Sequence, residues 1–395
     1  MRILFLSYYF SPDLCAGSFR ATSLAEAIVR ILGSAGEIEV ISTIPNRYRS
    51  FSIDAPLLES SEGMTIRRVK VPLHRSGMLD QALAFRKYSE FVRTYTKKRE
   101  YDLVFATSSR LMTARLAAQV ARSKGLTLFL DIRDIFPDTM RDVLPFPFGK
   151  IIEPILSVLE RNTIRAAAKV NLISRGFSKY FQSRYPDTLF CFYSNGVSAE
   201  FVSENSFENS APKQGNLRIV YAGNIGASQG LEHIIPDLAI QLGSNFQFRL
   251  IGDGGRKARL AQAIASRKIT NVALVNPMSR SDLLAEYHAA DVFFLHLNDS
   301  AAFMKVIPSK VFEYAALGKP IWAGVAGYPA EFLRSEVKNS SVFSPCSVSD
   351  ALRAFSELDI RYTPRPEFVK KFSRSAISSQ LAAEIIDLAN AKSRK

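Results

Sequence analysis

Three cysteines in 395 residues, Cys15, Cys191 and Cys346, are too scattered and odd in number for a disulfide framework, and they have no metal-ligand spacing. They read as reduced thiols of a cytoplasmic protein. Histidine is almost as scarce. His74, His233, His288 and His296 stand in no metal-ligand spacing, and His288 and His296 read as structural. No apolar run reaches the roughly 18 residues that a bilayer span needs. The run at 1–7 is too short for a signal-peptide core, and it leads into Tyr8-Tyr9-Phe10-Ser11-Pro12 as a first strand leads into a turn. Zinc-finger spacing and the RNP stacking sequences are missing, which puts nucleic acid last among possible polyanionic partners. With 47% hydrophobic and 22% charged residues, the chain is neither disordered nor fibrous.

What is present is length enough for two ordinary domains and an excess of positive charge. The formal net charge is +14 and the pI about 9.7, which suits a diphosphate substrate or an anionic membrane surface. Strand-like and helix-like stretches alternate. The run at 2–7, the turn Ser11–Ser18 and a helical period from Arg20 to Leu32 follow one another in Rossmann-like order, with Gly17 permitting close approach of backbone to a ligand. Glu39–Thr43, Met64–Val69 and Asp102–Thr107 read as strands. Between Phe85 and Arg99 lies an amphipathic basic helix, read chiefly as a solvated face over a core stripe.

The strand Leu126–Leu130 delivers Asp131-Ile132-Arg133-Asp134-Ile135-Phe136-Pro137-Asp138 at its carboxyl end, where open α/β sheets hold ligands. An Arg–Asp ion pair stiffening that loop is the alternative. Leu144–Lys150 sets two phenylalanines among prolines beside a lysine, a loop suited to membrane contact or to folding back on the core. Asn195-Gly196 is a turn signal, and Ser203–Gln214, rich in Ser, Asn and Glu, reads as a linker. The second half opens with the strand Leu217–Ala222 and a loop with Gly223, Gly226 and Gly230, the device that brings backbone close to phosphate. A strand over Phe246–Ile251 leads to Gly252-Asp253-Gly254-Gly255-Arg256. Ser281 reads as a helix cap, Ala290–Leu295 as a strand and Phe368–Ala389 as a terminal helix.

The stretch Ile307–Ile321 carries the most chemistry. Pro308-Ser309 starts a helix, Val311, Phe312, Ala315 and Ala316 recur at helical spacing, and Gly318 with Pro320 stops it. The helix start can receive a phosphate on the amides of Ser309 and Lys310, with the Lys310 side chain adding charge. One turn on, Glu313 can accept hydrogen bonds from a ribose diol. A buried helix with solvated Glu and Lys is the plain alternative.

These segments resemble the nucleotide-sugar site of the family 4 retaining glycosyltransferases, in the subgroup that transfers amino sugars during O-antigen or capsule assembly. The resemblance covers nearly the whole chain, most specifically 192–197, 219–230 and 307–321. It implies an α/β GT-B fold, with two Rossmann-like domains whose parallel sheets face a central cleft. The acceptor-side domain would be 1–202, the linker 203–214 and the nucleotide-sugar domain 215–367, with the C-terminal helix 368–395 crossing back to the first domain. Glu313 would hold the ribose. The helix-start amides of Ser309 and Lys310 would hold the diphosphate, beside Gly223, Asn224, Gly226, Gln229 and Gly252. Asn224 and Gln229 stand where the family's commoner pattern has Arg and Lys, and Lys305 stands where a second Glu often contacts the sugar. The cations left for the diphosphate are then Lys310, Lys305 and Arg256, in that order. Asp134 is implied as the acceptor-facing carboxylate, with Asp131 second and Lys310 completing the catalytic set. Gly17, Ser18 and Arg133 would line the acceptor side.

The resemblance further implies a UDP-sugar donor and no cofactor. No metal is expected either, in keeping with the lack of an Asp-x-Asp motif beside the site. The acceptor would be polyprenyl-diphosphate-linked or a growing glycan. The enzyme would be peripheral at the inner face of the plasma membrane, touching it through the basic helix 85–99 and the loop 144–150. A non-hydrolysing UDP-sugar 2-epimerase, or a basic membrane-binding or nucleic-acid-binding module, are the rival readings.

Overall fold

The computed structural model describes residues 1–46, 53–72, 78–108, 111–144, 147–202 and 216–393. The expected linker at 203–214 lies outside the described residues, as do Pro145 and Phe146 of the loop at 144–150 and His74. Two compact units divide the chain, one built from Met1–Asn195 and Arg374–Lys395, the other from Gly196–Ser373.

In the first unit the strands are β1 (Arg2–Ser7), β2 (Glu37–Thr43), β3 (Leu58–Ser61), β4 (Met64–Val69), β5 (Leu103–Ser108), β6 (Thr127–Ile132), β7 (Lys169–Leu172) and β8 (Phe190–Cys191). They pair in the order β3-β4-β2-β1-β5-β6-β7-β8, with only β3 antiparallel among the described pairings. The helices are α1 (Ala16–Leu32), α2 (Met78–Thr96), α3 (Leu111–Lys124), α4 (Phe136–Val143), α5 (Phe148–Ile164) and α6 (Ser178–Arg184). A parallel sheet covered on both faces needs unbroken apolar strands, and β1 supplies Ile3-Leu4-Phe5-Leu6, all fully buried.

The second unit contains β9 (Leu217–Ala222), β10 (Phe246–Ile251), β11 (Val272–Val275), β12 (Val292–His296), β13 (Ile321–Gly324) and β14 (Ser340–Phe343), ordered β11-β10-β9-β12-β13-β14 and parallel in every described pairing. Its helices are α7 (Ile235–Leu242), α8 (Lys257–Ser266), α9 (Arg280–Ala289), α10 (Lys310–Ala316), α11 (Tyr328–Glu336), α12 (Val348–Ser356) and α13 (Pro366–Lys371). The last helix, α14 (Arg374–Ser393), belongs to the first unit. It packs on α1 through Leu381, Ala382, Ile385 and Ala389, in one core with Ala21, Leu24 and Ile28.

In each sheet the chain builds first to one side of a strand and then to the other: β2 to β4 on one side of β1 and β5 to β8 on the other, β10 and β11 on one side of β9 and β12 to β14 on the other. Ligands bind open α/β sheets outside the strand carboxyl ends at such a switch point.

Four sequence expectations are corrected. The strand read as Leu126–Leu130 runs to Ile132, so Asp131 lies within β6, paired with Thr107 and Asn171, and not in the loop after it. The cap of α9 is Ser279 rather than Ser281; its Oγ accepts from the Asp282 amide. The single terminal helix is two, because the Phe372 carbonyl accepts the Val197 amide at 2.7 Å and Ser373 bridges Val197, breaking the helix there. The basic helix ends at Thr96, and its apolar side is in the core: Tyr88 and Val92 are fully buried, with the Tyr88 hydroxyl donating to the Ile41 carbonyl. No helix among the described residues is long and apolar enough to cross a membrane.

Candidate functional site

In the second unit, Gly223 follows β9 at the switch point. The loop from Gly223 is zipped to the loop after β10: the Gly223 amide donates to Ile251, Ile225 to Asp253 and Arg256 to Ile225. Gly252 makes this possible. Its φ of 151° favours glycine, and a Cβ there would collide with the Gly223 carbonyl oxygen. Asn224 Nδ2 donates to Gln229 Oε1 at 2.8 Å, so these two side chains close the loop on each other. From the neighbouring strand, Asn298 anchors the loop through Ala227 and Ser228, and His296 Nδ1 lies 2.6 Å from the Gln229 carbonyl oxygen.

His296 has a defined tautomer. Its Nε2 accepts the Cys346 amide at 3.0 Å, so Nδ1 carries the proton and donates to Gln229. Burial pushes this imidazole down to about 4, and the Gln229 bond only partly opposes that.

Helix α10 is fixed against the base of the same loop. Val311, Phe312, Tyr314 and Ala315 are fully buried, Tyr314 stacks on Phe293 at 4.3 Å, and its hydroxyl accepts the Ala222 amide at 2.9 Å. The first bonds of the helix come from the amides of Val311 and Phe312, leaving the amides of Ser309 and Lys310 ahead of the first turn. At the other end Arg365, buried and pushed down to about 10 by that burial, donates to the carbonyls of Ala315, Lys319, Lys338 and Asn339. A cation at the C-terminus complements the helix dipole.

Glu313 is 3% exposed. Its Oε2 accepts Lys310 Nζ at 2.7 Å and the Tyr287 hydroxyl at 3.2 Å, while Oε1 lies 3.8 Å from Arg280 Nη1. Lys310 also donates to the Tyr287 hydroxyl at 2.9 Å. Lys310 and Arg280 flank the Glu313 carboxylate, and with Glu200 on Arg280 the four charges balance, so a diphosphate gains the two cations by exchange with their carboxylates. Arg280 and Tyr287 escaped the sequence reading. Ser279, taken as the cap, would have put Arg280 at the first helical position, whereas Tyr287 had no local signal. Arg280 is itself held by Glu200 and lies over the Phe201 ring. Arg256 sits beside the glycine loop with Nε 3.5 Å from Glu232, and Lys305 is half-buried in the segment before α10.

In the first unit, Asp131 is fully buried. Arg20 grips it with two bonds of 2.9 Å, Thr107 and Asn171 donate as well, and Arg20 also donates to the carbonyls of Tyr193 and Ser194. Burial alone would raise the Asp131 carboxyl, but Arg20 and Asn171 hold it below the ordinary range. Asp131 is thus bound by Arg20 of α1 and not by Arg133 of its own segment, so its ion pair is not the loop-stiffening one that was the alternative reading.

Gly17, Ser18 and Arg133 do come together at the start of the 17-residue α1. A Cβ on Gly17 would lie 2.9 Å from Arg133 Nη1. Arg133 is 8% exposed, and burial pushes its guanidinium below the usual range. Among the described residues, its Nε and Nη1 and the Ser18 Oγ have no hydrogen-bond partner. Asp131 and Asp134 act on this guanidinium from a distance, but its two unpartnered N–H groups beside a helix N-terminus call for an anion. Asp134 next to it is exposed.

Structural comparison adds a sucrose-phosphate synthase from Thermosynechococcus elongatus, with a TM-score of 0.78 at 15% identity over 99% of this chain and 100% of that one. The chain has the GT-B fold. Anabaena HepE, solved in complex with UDP and glucose, gives 0.67 at 18% identity over 98% and 100%. WaaG, a glycosyltransferase of lipopolysaccharide biosynthesis, gives 0.64 at 16% over 99% and 98%. Residues 202–368, which hold the glycine loop and α10, match the family described as glycosyl transferases group 1. Among curated proteins, WcaI of Escherichia coli (strain K12), which carries the name of a colanic acid biosynthesis glycosyl transferase, is 25% identical over 227 residues. That match spans 55% of this GT-B chain and 56% of WcaI.

Proposed function

We propose that the chain is a retaining glycosyltransferase that moves a sugar, an N-acetylated amino or deoxyamino sugar, from UDP to a polyprenyl-diphosphate-linked or growing glycan acceptor. It works as a peripheral protein at the cytoplasmic face of the plasma membrane, in surface polysaccharide synthesis. The observation that carries this reading is the Glu313–Lys310 pair on α10, tied through Tyr314 to the base of the switch-point glycine loop. The domain match over 202–368, the name of WcaI and the UDP held by HepE support the same donor chemistry.

In this reading the diphosphate draws Lys310 and Arg280 toward itself, and the Glu313 oxygen that Lys310 and Tyr287 now occupy turns to the ribose hydroxyls. Backbone amides at Asn224 and Ser309 take the phosphate oxygens, while the Gly223 amide stays on the Ile251 carbonyl. Catalysis comes from stabilising the charge that grows on the departing diphosphate, while a phosphate oxygen takes the acceptor proton. Asn224 and Gln229, bonded to each other, shape the loop rather than supply charge. Arg133 and Ser18 receive an anionic group at the start of α1, and Asp134 faces the acceptor. Asp131 takes a positioning part. It fixes Arg20 on α1 against the end of β6, which sets Gly17 and Ser18 beside Arg133.

Incubation with a UDP-N-acetylhexosamine, with and without a polyprenyl-diphosphate-linked sugar, tests the proposal by mass spectrometry and by NMR of the anomeric centre. Acceptor-dependent release of UDP with the donor's anomeric configuration kept in the product is expected. An altered UDP-sugar formed without acceptor would identify an epimerase instead.

A further inference from the structure

Helix α5 turns Leu156, Glu160, Thr163 and Ile164 inward, yet its outer face is apolar. Phe148, Ile151, Ile155 and Val158 are 66%, 62%, 59% and 50% exposed. Their spacing of three, four and three residues places them on one stripe. Four large apolar side chains in one line are more than the scattered exposure normal for a soluble surface. The stripe ends in positive charge: Arg165 falls on the same face and Arg161 on its flank.

At that end lies a pocket of about 190 Å³, lined by Ser157, Glu160, Arg161, Arg165, Arg184 and Tyr185. A water takes up about 30 Å³, so a tetrahedral oxyanion fits with room to spare. Glu160 is the one acid in the wall. Its Oε1 accepts the hydroxyls of Tyr180 and Tyr185 at 3.0 and 2.9 Å, and burial pushes its carboxyl up to about 7, so it opposes an anion with less than a full charge at neutral pH. Arg184 stacks on the Tyr180 ring, which fixes the guanidinium in the pocket wall.

We infer that the outer face of α5 docks on an anionic membrane, with Phe148, Ile151, Ile155 and Val158 entering the acyl boundary and a lipid phosphate held between Arg161, Arg165 and Arg184. An apolar stripe ending in arginines is the arrangement an interfacial helix uses, and the net charge of +14 favours the same surface. This moves the contact from the expected helix 85–99, whose apolar side is in the core, to α5, which begins at the Phe148 of the expected loop. The inference rests on the membrane-peripheral part of the proposed function and not on its donor chemistry, because binding is read without nucleotide.

Sedimentation of the full chain with vesicles of phosphatidylcholine, alone or mixed with phosphatidylglycerol, at physiological salt provides the test. Tight binding to the mixed vesicles is expected. R161Q/R165Q should lower that partitioning roughly tenfold or more and leave residual binding to the neutral vesicles unchanged. I151Q/I155Q should lower partitioning to both compositions by a similar factor. Neither pair should alter thermal unfolding or UDP titration, which separates this claim from the site assignment. Wild-type protein that stays in the supernatant, or variants that bind as the wild type does, would overturn it. So would an arginine pocket that takes inorganic phosphate, by NMR titration sensitive to R161Q/R165Q, in a protein that ignores vesicles.

Discussion

Among single residues, His296 links the glycine loop to the loop after β14 only while it is neutral, since Nε2 must accept from Cys346. Its pKa is near 4 when folded and about 6.5 when unfolded. A depressed folded value means that the unfolded chain binds more protons between those limits. The stability it contributes is present above about pH 6.5 and is lost as pH falls toward 4. By pH 5 the loss is about 2 kcal/mol. Glu160 has the opposite sign in the first unit: its folded value near 7 is raised, so its stability contribution is full below the ordinary glutamate value and is lost as pH rises through 7. Thermal unfolding of the second unit at pH 5 and pH 7 should therefore show a falling midpoint toward pH 5 in the wild type and a much smaller fall in His296→Asn. An equal fall in both proteins would refute the assignment. The same scale explains why Asp131 was misplaced from sequence. Its partners Arg20, Asn171 and Thr107 are 111, 40 and 24 residues away, and no local pattern announces a bond over such distances. The nearness of Glu313 to Lys310 was legible because both lie within one turn of the helix start.

At the scale of elements, two loops and one short helix make the proposed nucleotide site, and each is held from outside itself. The loops after β9 and β10 can zip only because Gly252 lets backbone meet backbone. Gly252→Ala combines a strained φ with a clash against Gly223, and a loss of at least about 3 kcal/mol is expected in denaturant unfolding, together with loss of nucleotide binding. A variant as stable as the wild type would mean that the two loops separate freely. Helix α10 has only seven residues, too short to persist alone, and draws its stability from Tyr314 on Phe293 and from Arg365 at its carboxyl end. Its sequence nonetheless announced it, through Pro308-Ser309 before and Gly318 after. The strand ends were legible for a similar reason, since buried parallel strands read as unbroken apolar runs. The end of β6 was not, because a buried, fully paired aspartate continues a strand that composition alone would stop.

Over the whole molecule, each unit repeats one plan, an open, chiefly parallel sheet with a loop rich in candidate site residues after the switch-point strand. That plan was readable from the alternation of strand and helix patterns, whereas the return of the chain's last helix to the first unit was implied by the family resemblance alone. The place where the chain leaves the second unit was harder, since residues 366–389 keep a helical period across a break that only Val197, far off in sequence, imposes. Charge belongs to this scale too. An excess of +14 said that anions matter, but only the fold sorted the cations into Lys310 and Arg280 around Glu313, Arg133 at α1 and the arginines at the end of α5.

The central claim is that Glu313 and its two cations hold a uridine nucleotide, and calorimetric titration with UDP tests it most directly. The titration is run without added metal at physiological salt, on wild type and Glu313→Ala, with GDP, ADP and CMP as comparators. UDP should bind best, and the substitution should weaken it by roughly tenfold or more, the ~1.4 kcal/mol of a lost charged hydrogen bond. Failure of every nucleotide to bind, or UDP affinity unchanged by the substitution, would contradict the account.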